Sequence, residues 1–444
     1  MKEKILKLID ENKYIQARNE IVKMNAVDAA GLFDEIDQRK LLIIFRILPK
    51  DIAADVFTHM DSDLQKYVID SITDEETVDV LENLFLDDTI DFLEEMPSNV
   101  VKRILRNTNE KMRTVINQFL NYPPESAGSL MTIEYADLKK ELAVKQALQY
   151  IQAIGVDKAT IDTCYVINYD RVLEGVVSLR RLILSDESTV IKDIMETDVL
   201  SVNTHDDQEY VAGFFKKYDL NVMPVLDNEN RLVGIITVDD IIDVIDQEAT
   251  EDLHKMAAIQ PSQDAYLKTS NWSLAKHRIP WLLILMISAT FTGGIIQRYE
   301  NALQSVVLLA SFIPMLMDTG GNAGSQSSTL IIRGLALNDI KPKDILKILW
   351  KELCIGSIVG IVLAFVNFLR IYYVSKAGLL VSFTVSLTLF ITVVLSKVVG
   401  GVLPIIAKQF KMDPAIMAGP LITTIVDAVT LLIYFKTATH LLNI

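Results

Sequence analysis

Ala415-Ile-Met-Ala-Gly-Pro-Leu-Ile-Thr-Thr-Ile-Val-Asp-Ala-Val-Thr-Leu-Leu-Ile-Tyr-Phe435 carries one charge in 21 residues, that of Asp427. An apolar run of about 20 residues is long enough to cross a bilayer as a helix. A carboxylate in hydrocarbon is expensive, so it must face a bundle interior or a watery path. The run therefore predicts a membrane helix whose acid lies on an ion path. The structural alternatives are a hydrogen bond to a neighbouring helix or a pairing with Lys397.

Working outward, Ile279–Gln297, Leu353–Leu369 and Gly378–Ser396 are uncharged runs of 19, 17 and 19 residues. A further apolar segment starts at Ala302, passes Met317 and Asp318, and continues through a polar, glycine-rich stretch to Ile332. Five spans result, all in the last two fifths of the chain. With the N-terminal half in the cytoplasm, nine basic residues fall on that side: Lys276, Arg278, Arg333, Lys341, Lys343, Lys347, Lys351, Lys408 and Lys411. Arg298, Arg370, Lys376 and Lys436 fall on the other. The bias places the N-terminus inside and Ile444 outside.

The interrupted span reads Pro314-Met-Leu-Met-Asp-Thr-Gly-Gly-Asn-Ala-Gly-Ser-Gln-Ser-Ser328. Its small residues permit close helix packing, and its amides and hydroxyls offer oxygens to a hydrated ion. Magnesium gives up its water shell reluctantly, so one carboxylate per chain with neutral oxygens could hold it hydrated. Two chains would set two copies of Asp427 around one axis, which favours a dimeric pore.

Of 444 residues, 43 are Lys or Arg and 58 are Asp or Glu, a net charge of −15. Residues 271–444 hold 14 of the basic and 7 of the acidic groups, leaving 29 and 51 in residues 1–270. The first part therefore has a net charge of −22, which argues against nucleic acid as partner and towards cations. Cys164 and Cys354 have no metal-ligand spacing, and Met1–Asp10 lacks the apolar core of a signal peptide.

Two repeats organise this acidic half. Leu48-Pro-Lys-Asp51, Met60-Asp-Ser-Asp63, Ile72-Thr-Asp-Glu75, Leu84-Phe-Leu-Asp87 and Met96-Pro-Ser-Asn99 recur every twelve residues, where short helices would start and cap. They predict a compact superhelix over 1–125. Next, Gly175-Val-Val-Ser-Leu-Arg-Arg-Leu-Ile and Gly234-Ile-Ile-Thr-Val-Asp-Asp-Ile-Ile match at an offset of 59. The strand–helix–strand–strand–helix order around each copy resembles a tandem pair of CBS domains over 126–246. Such pairs are regulatory, commonly dimerise and often bind adenine nucleotides. Beyond them Glu248, Glu251 and Asp252 share one helical face, with no basic residue in that turn to offset them.

Together these pieces resemble the MgtE family of magnesium channels, with PMLMDTGGNAGSQSSTLIIR and GPLITTIVDAVTLLIYF as the membrane motifs. The expected fold is a multidomain membrane protein. It has an all-α superhelical domain (1–125), a tandem CBS α/β pair (126–246), a connecting plug helix (247–275) and a five-span α-helical membrane domain (276–444). The resemblance implies a homodimer in the cell membrane, with magnesium as cargo and regulator, and extends to ATP at the CBS domains. By resemblance Asp427 holds hydrated magnesium and Asn322 lines the pore. Regulatory magnesium would bridge carboxylates among Asp207, Glu209, Asp219, Asp240, Asp243, Glu248, Glu251 and Asp252, with Asp413 as the membrane-side partner at the inner mouth and Asp87 and Asp91 in the helical domain. Lys216 stands where the family pattern has a small residue. Electrostatics favours the same gate: two acidic halves carry −44, and divalent ions remove the repulsion between them. The residues also admit an ion-coupled secondary transporter with Asp427 as coupling site. No nucleophile–base pair or histidine cluster points to an enzyme, since His59, His205, His254, His277 and His440 are scattered.

Overall fold

The computed structural model describes residues 1–262, 266, 267 and 269–443. Gln263, Asp264, Ala265 and Lys268 of the expected connecting segment lie outside the described residues, as does Ile444 with its expected outward placement. The chain forms two compact units, Met1–Ile245 and Asp246–Ile444.

The first unit opens with ten short helices, from Lys2–Asp10 and Tyr14–Ile21 through Leu86–Glu95 and Ser98–Asn107 to Glu110–Phe119. Every one begins twelve residues after the last, so the spacing quoted for five copies runs through ten helices within the expected 1–125. Each helix buries one apolar stripe, for example Ala53, Ala54, Val56 and Phe57, in a shared core. The acids at the repeat's fourth position do not cap these helices; Asp51, Asp63 and Asp87 sit inside the first turn instead. The preceding residues cap where they can, as when Thr73 Oγ1 accepts from Glu76 N while Thr73 N donates to Glu76 Oε2.

The 59-residue repeat builds two sheets of identical plan. Strands β1 (Tyr135–Leu138), β2 (Thr160–Ile167) and β3 (Leu173–Ser178) form one, and β4 (Val202–Asn203), β5 (Val222–Leu226) and β6 (Leu232–Thr237) the other. In each the first pair is parallel and the second antiparallel. The copies exchange edges: Glu196 pairs with Val176 in β3, and Thr132 pairs with Ile235 in β6. This crossing explains the glycines of both repeats. A Cβ at Gly175 would stand 2.6 Å from Glu196 O, and one at Gly234 would stand 2.8 Å from Thr132 O. Val202, Phe215, Met223, Ile236 and Ile241 join the core of the helical repeats, so the second CBS-like copy is welded to them by apolar burial.

A single helix, Val238–Met256, follows β6. Within the expected plug the first helix ends at Met256, Ala258 turns with φ +53°, and helical structure begins again at Asn271. Among the described residues of the second unit four segments are long and apolar enough to cross a membrane: Asn271–Arg298, Pro342–Val374, Leu379–Gln409 and Pro414–Leu442. The fifth long helix, Ile313–Ala336, has 24 residues and its glycines, hydroxyls and amides dilute its apolar character. It starts later than Ala302 suggests, because Pro314 suits a helix's first turn and the preceding chain forms a short helix, Glu300–Ser305, and a 3₁₀ segment, Val307–Phe312. Its glycines bring backbones together: a Cβ on Gly400 would fall 2.1 Å from Gly324 O. Gly400→Ala should therefore cost about 3 kcal/mol. Thermal unfolding in detergent measures it, and an unchanged midpoint would contradict so close a crossing.

Candidate functional site

In the first unit, helix Leu86–Glu95 presents Asp87, Asp88 and Asp91 from adjoining turns, and Asp240 belongs to the first turn of Val238–Met256. Carboxylates favour a helix N-terminus, yet burial and crowding outweigh that preference here. Burial pushes Asp87 up to about 8, with the charges of Asp240 and Asp88 adding to it. Asp91 keeps an open face to solvent, but loss of water on its protein side, with Asp240 next, lifts it to about 7. Burial raises Asp88 and Asp240 to about 6. Thr237 Oγ1 donates to Asp240 Oδ2 at 2.6 Å, a bond that works against this rise. None of the four carboxylates forms an ion pair among the described residues. Nor does any group of three or more Asp, Glu, His or Cys stand there as a ready-made ligand shell. Such a cluster suits a cation that keeps its waters and needs only one or two carboxylates.

Asp88, Asp239 and Glu134 belong to this field and were absent from the sequence-derived set. Other expected ligands stand apart. Asp207 caps helix Gln208–Tyr218 by accepting from Glu209 N at 2.9 Å. Asp219 ends the same helix with φ +52°, about 18 Å along the axis from Asp207. Asp207, Glu209, Asp219, Lys216 and Asp243 are all exposed.

In the second unit the remaining acids meet the membrane helices. Asp413 caps the 3₁₀ turn Pro414–Met417 by accepting from Ala415 N at 2.8 Å. Lys255 Nζ lies 2.6 Å from Asp413 Oδ2 and 2.6 Å from Glu251 Oε1. No base lies within the acidic turn itself, but Lys255, one turn further along the same helical face, offsets it. Burial raises the Asp252 carboxyl, with Asp413 as the next cause. Met256 packs against Ile332, Ala415 and Ala418, and Gln260 N donates to His277 O at 3.0 Å. Glu248 is partly buried on the same helix.

Within the membrane helices, Ile313–Ala336 has two faces. Gly320, Gly321, Gly324, Ser327 and Ser328 are buried, whereas Asp318, Asn322, Gln326 and Thr329 are exposed at helical spacing. The glycines pack on Thr392, Thr423 and Ile422, so packing accounts for them and leaves the exposed polar row to other work. Asp427 is half-buried, and Asp318 is the charge that acts on it. Lys397 is buried and its Nζ reaches Gln326 Oε1 at 3.5 Å, so the pairing with Asp427 is not made. Buried Glu352 accepts from Ser327 Oγ at 2.6 Å and braces the polar helix from behind. Sequence reading passed over Asp318 and Glu352; the helical spacing of Asp318 with Asn322 was its available signal.

Comparisons with known proteins place these features. A family model described as a divalent cation transporter matches residues 313–437, one for the MgtE intracellular N domain matches 24–125, and a CBS model matches 191–247. The chain is 34% identical to a magnesium transporter MgtE of Thermus thermophilus over 96% of its length and 95% of that protein. It is 33% identical to a magnesium transporter MgtE of Bacillus subtilis over 99% of its length and 97% of that protein. Among solved structures, the cytosolic domain of the Mg2+ channel MgtE in complex with ATP matches with a TM-score of 0.53 at 31% identity. That match covers 55% of this chain and 100% of the solved one. The soluble part of a magnesium transporter matches equally well at 29% identity, covering 56% and 98%.

Proposed function

Because the chain belongs to the MgtE family of divalent cation transporters, we propose that it conducts magnesium through a membrane pore that cytosolic magnesium shuts. The exposed row Asp318, Asn322, Gln326 and Thr329 beside half-buried Asp427 carries this reading. A polar row on a membrane helix is costly against lipid and useful against water. A second copy covers it in a homodimer, and the two rows then line a watery path with Asp427 and Asn322 contributing oxygens. Carboxylates and amides offer water-mediated bonds to an ion that remains hydrated, which selects a strongly hydrated divalent cation. No covalent chemistry is required, in keeping with transport rather than catalysis.

The gate is the acidic cytoplasmic half. Asp87, Asp91 and Asp240, with Asp88, are held together against their repulsion, and a bridging magnesium relieves it. Glu248, Glu251, Asp252 and Asp413 serve at the inner mouth, while Asp207, Glu209, Asp219 and Asp243 serve at exposed surfaces where a partner chain supplies the other side. Magnesium favours the docked form because that form alone gathers its ligands. The basic-residue bias supports an N-terminus in the cytoplasm of a cell-membrane protein. The CBS pair is the proposed ATP site; its solved relative was crystallised with ATP, and a calorimetric titration of the full chain with ATP decides the point. The main test is flux. Purified protein in lipid vesicles should pass magnesium against manganese and calcium competitors, and millimolar magnesium on the face carrying residues 1–262 should stop it. Flux unaffected by magnesium on that face would overturn the gate.

A further inference from the structure

The inner mouth of the second unit holds a cation of its own. Lys255 Nζ lies 2.6 Å from Glu251 Oε1 on its own helix and 2.6 Å from Asp413 Oδ2 ahead of the last membrane helix. All three side chains are sheltered, at 22–29% exposure, so neither pair is a loose surface contact. Asp252 adds a third carboxyl, raised by burial and then by Asp413, while the charges of Lys255 and then Lys408 work against that rise. Apolar packing of Met256 on Ala415 and Ala418 fixes the helix end beside this group. The backbone is as close: a Cβ on Gly419 would come 2.6 Å from Met256 O.

We infer that Lys255 is a built-in latch whose ammonium stands in for a divalent ion between the connecting helix and the inner mouth. The inference rests on the magnesium-gated reading above and adds a competitor to it. A lysine donates to carboxylates from a compact, strongly hydrated charge, much as a hydrated divalent ion does through its waters. It cannot leave the chain, so it holds part of the docked population when magnesium is absent. Magnesium that binds Glu251 and Asp413 must displace it. Lys255 therefore sets the resting flux and narrows the range over which magnesium acts.

The test uses full-length protein in phosphatidylcholine–phosphatidylglycerol vesicles, with magnesium flux read by a trapped indicator. Magnesium on the gating face is varied from chelated to millimolar. Lys255→Met should raise flux about fivefold with magnesium chelated, and millimolar magnesium should return it to the wild-type minimum. Lys255→Arg keeps the charge and should stay near wild type. On an Asp413→Asn background Lys255→Met should change little, since its partner is already gone. Equal chelated flux in wild type and Lys255→Met, or a full rise on the Asp413→Asn background, would overturn the latch. A wild-type flux indifferent to magnesium is a different result, and it would remove the gate itself.

Discussion

Asp427→Ala should lose magnesium uptake while the protein remains folded and associated. A hydrogen bond to a charged group is worth roughly 1.5–3 kcal/mol. In the proposed homodimer two copies of Asp427 on one axis would contribute roughly 3 kcal/mol or more, and each 1.4 kcal/mol is a factor of about ten. Flux should fall at least about a hundredfold. The substitution leaves packing largely alone, because Asp427 is only half-buried and makes no ion pair with Lys397. Asp427→Asn keeps an oxygen and loses the charge, so its loss should be smaller and its selectivity among cations poorer. Magnesium-selective uptake at the wild-type rate by the alanine variant would remove Asp427 from the path.

Asp87→Asn combined with Asp91→Asn should make the first unit dock without magnesium. Both carboxyls lie above their ordinary range, Asp87 at about 8 and Asp91 at about 7, chiefly through burial. A raised carboxyl stabilises the docked form below its ordinary pKa near 4 and withdraws that support as pH rises to the raised value. Wild-type docking without divalent ions should therefore weaken between about pH 4 and pH 8, and magnesium should restore it. The amides imitate the protonated state at every pH, and the apolar core shared with Phe215, Met223 and Ile236 supplies the attraction. Limited proteolysis of the full chain measures this. The double variant should be as resistant in chelator as wild type is in millimolar magnesium, and an unchanged dependence on magnesium would place sensing elsewhere.

The inner mouth behaves differently. There Met256 supplies the apolar contact of the helix end among the described residues, so removing charge leaves little attraction. Neutralising Glu251 and Asp252 together should leave the pore open and insensitive to magnesium, because bridging rather than simple repulsion holds that contact.

Much of this architecture was legible because it is periodic. A twelve-residue spacing needs only a handful of copies to be seen, and the offset of 59 marks two copies of one strand–helix plan, whereas the exchanged edges that need Gly175 and Gly234 show only in the structure. Apolar runs of membrane length announce themselves likewise. Features that depend on meeting another element were hidden. Asp88 adjoins Asp87 and reads as one more surface acid until burial and Asp240 raise it. Lys255 reads as a helix-end base until the chain before the last span returns Asp413 to it. Asp318 interrupted an apolar segment, and only the burial of Gly320 and Gly324 on the opposite face shows which way it turns.

The central claim is a magnesium-conducting pore shut by magnesium from the cytoplasmic side, and current recording tests it most directly. A membrane patch holding the purified protein, with unequal magnesium on its two faces, should give single-channel currents that reverse at the magnesium equilibrium potential. Those currents should vanish when millimolar magnesium reaches the face carrying the N-terminal unit. Magnesium uptake without such currents, driven instead by a sodium or proton gradient, would show a coupled transporter and contradict the account.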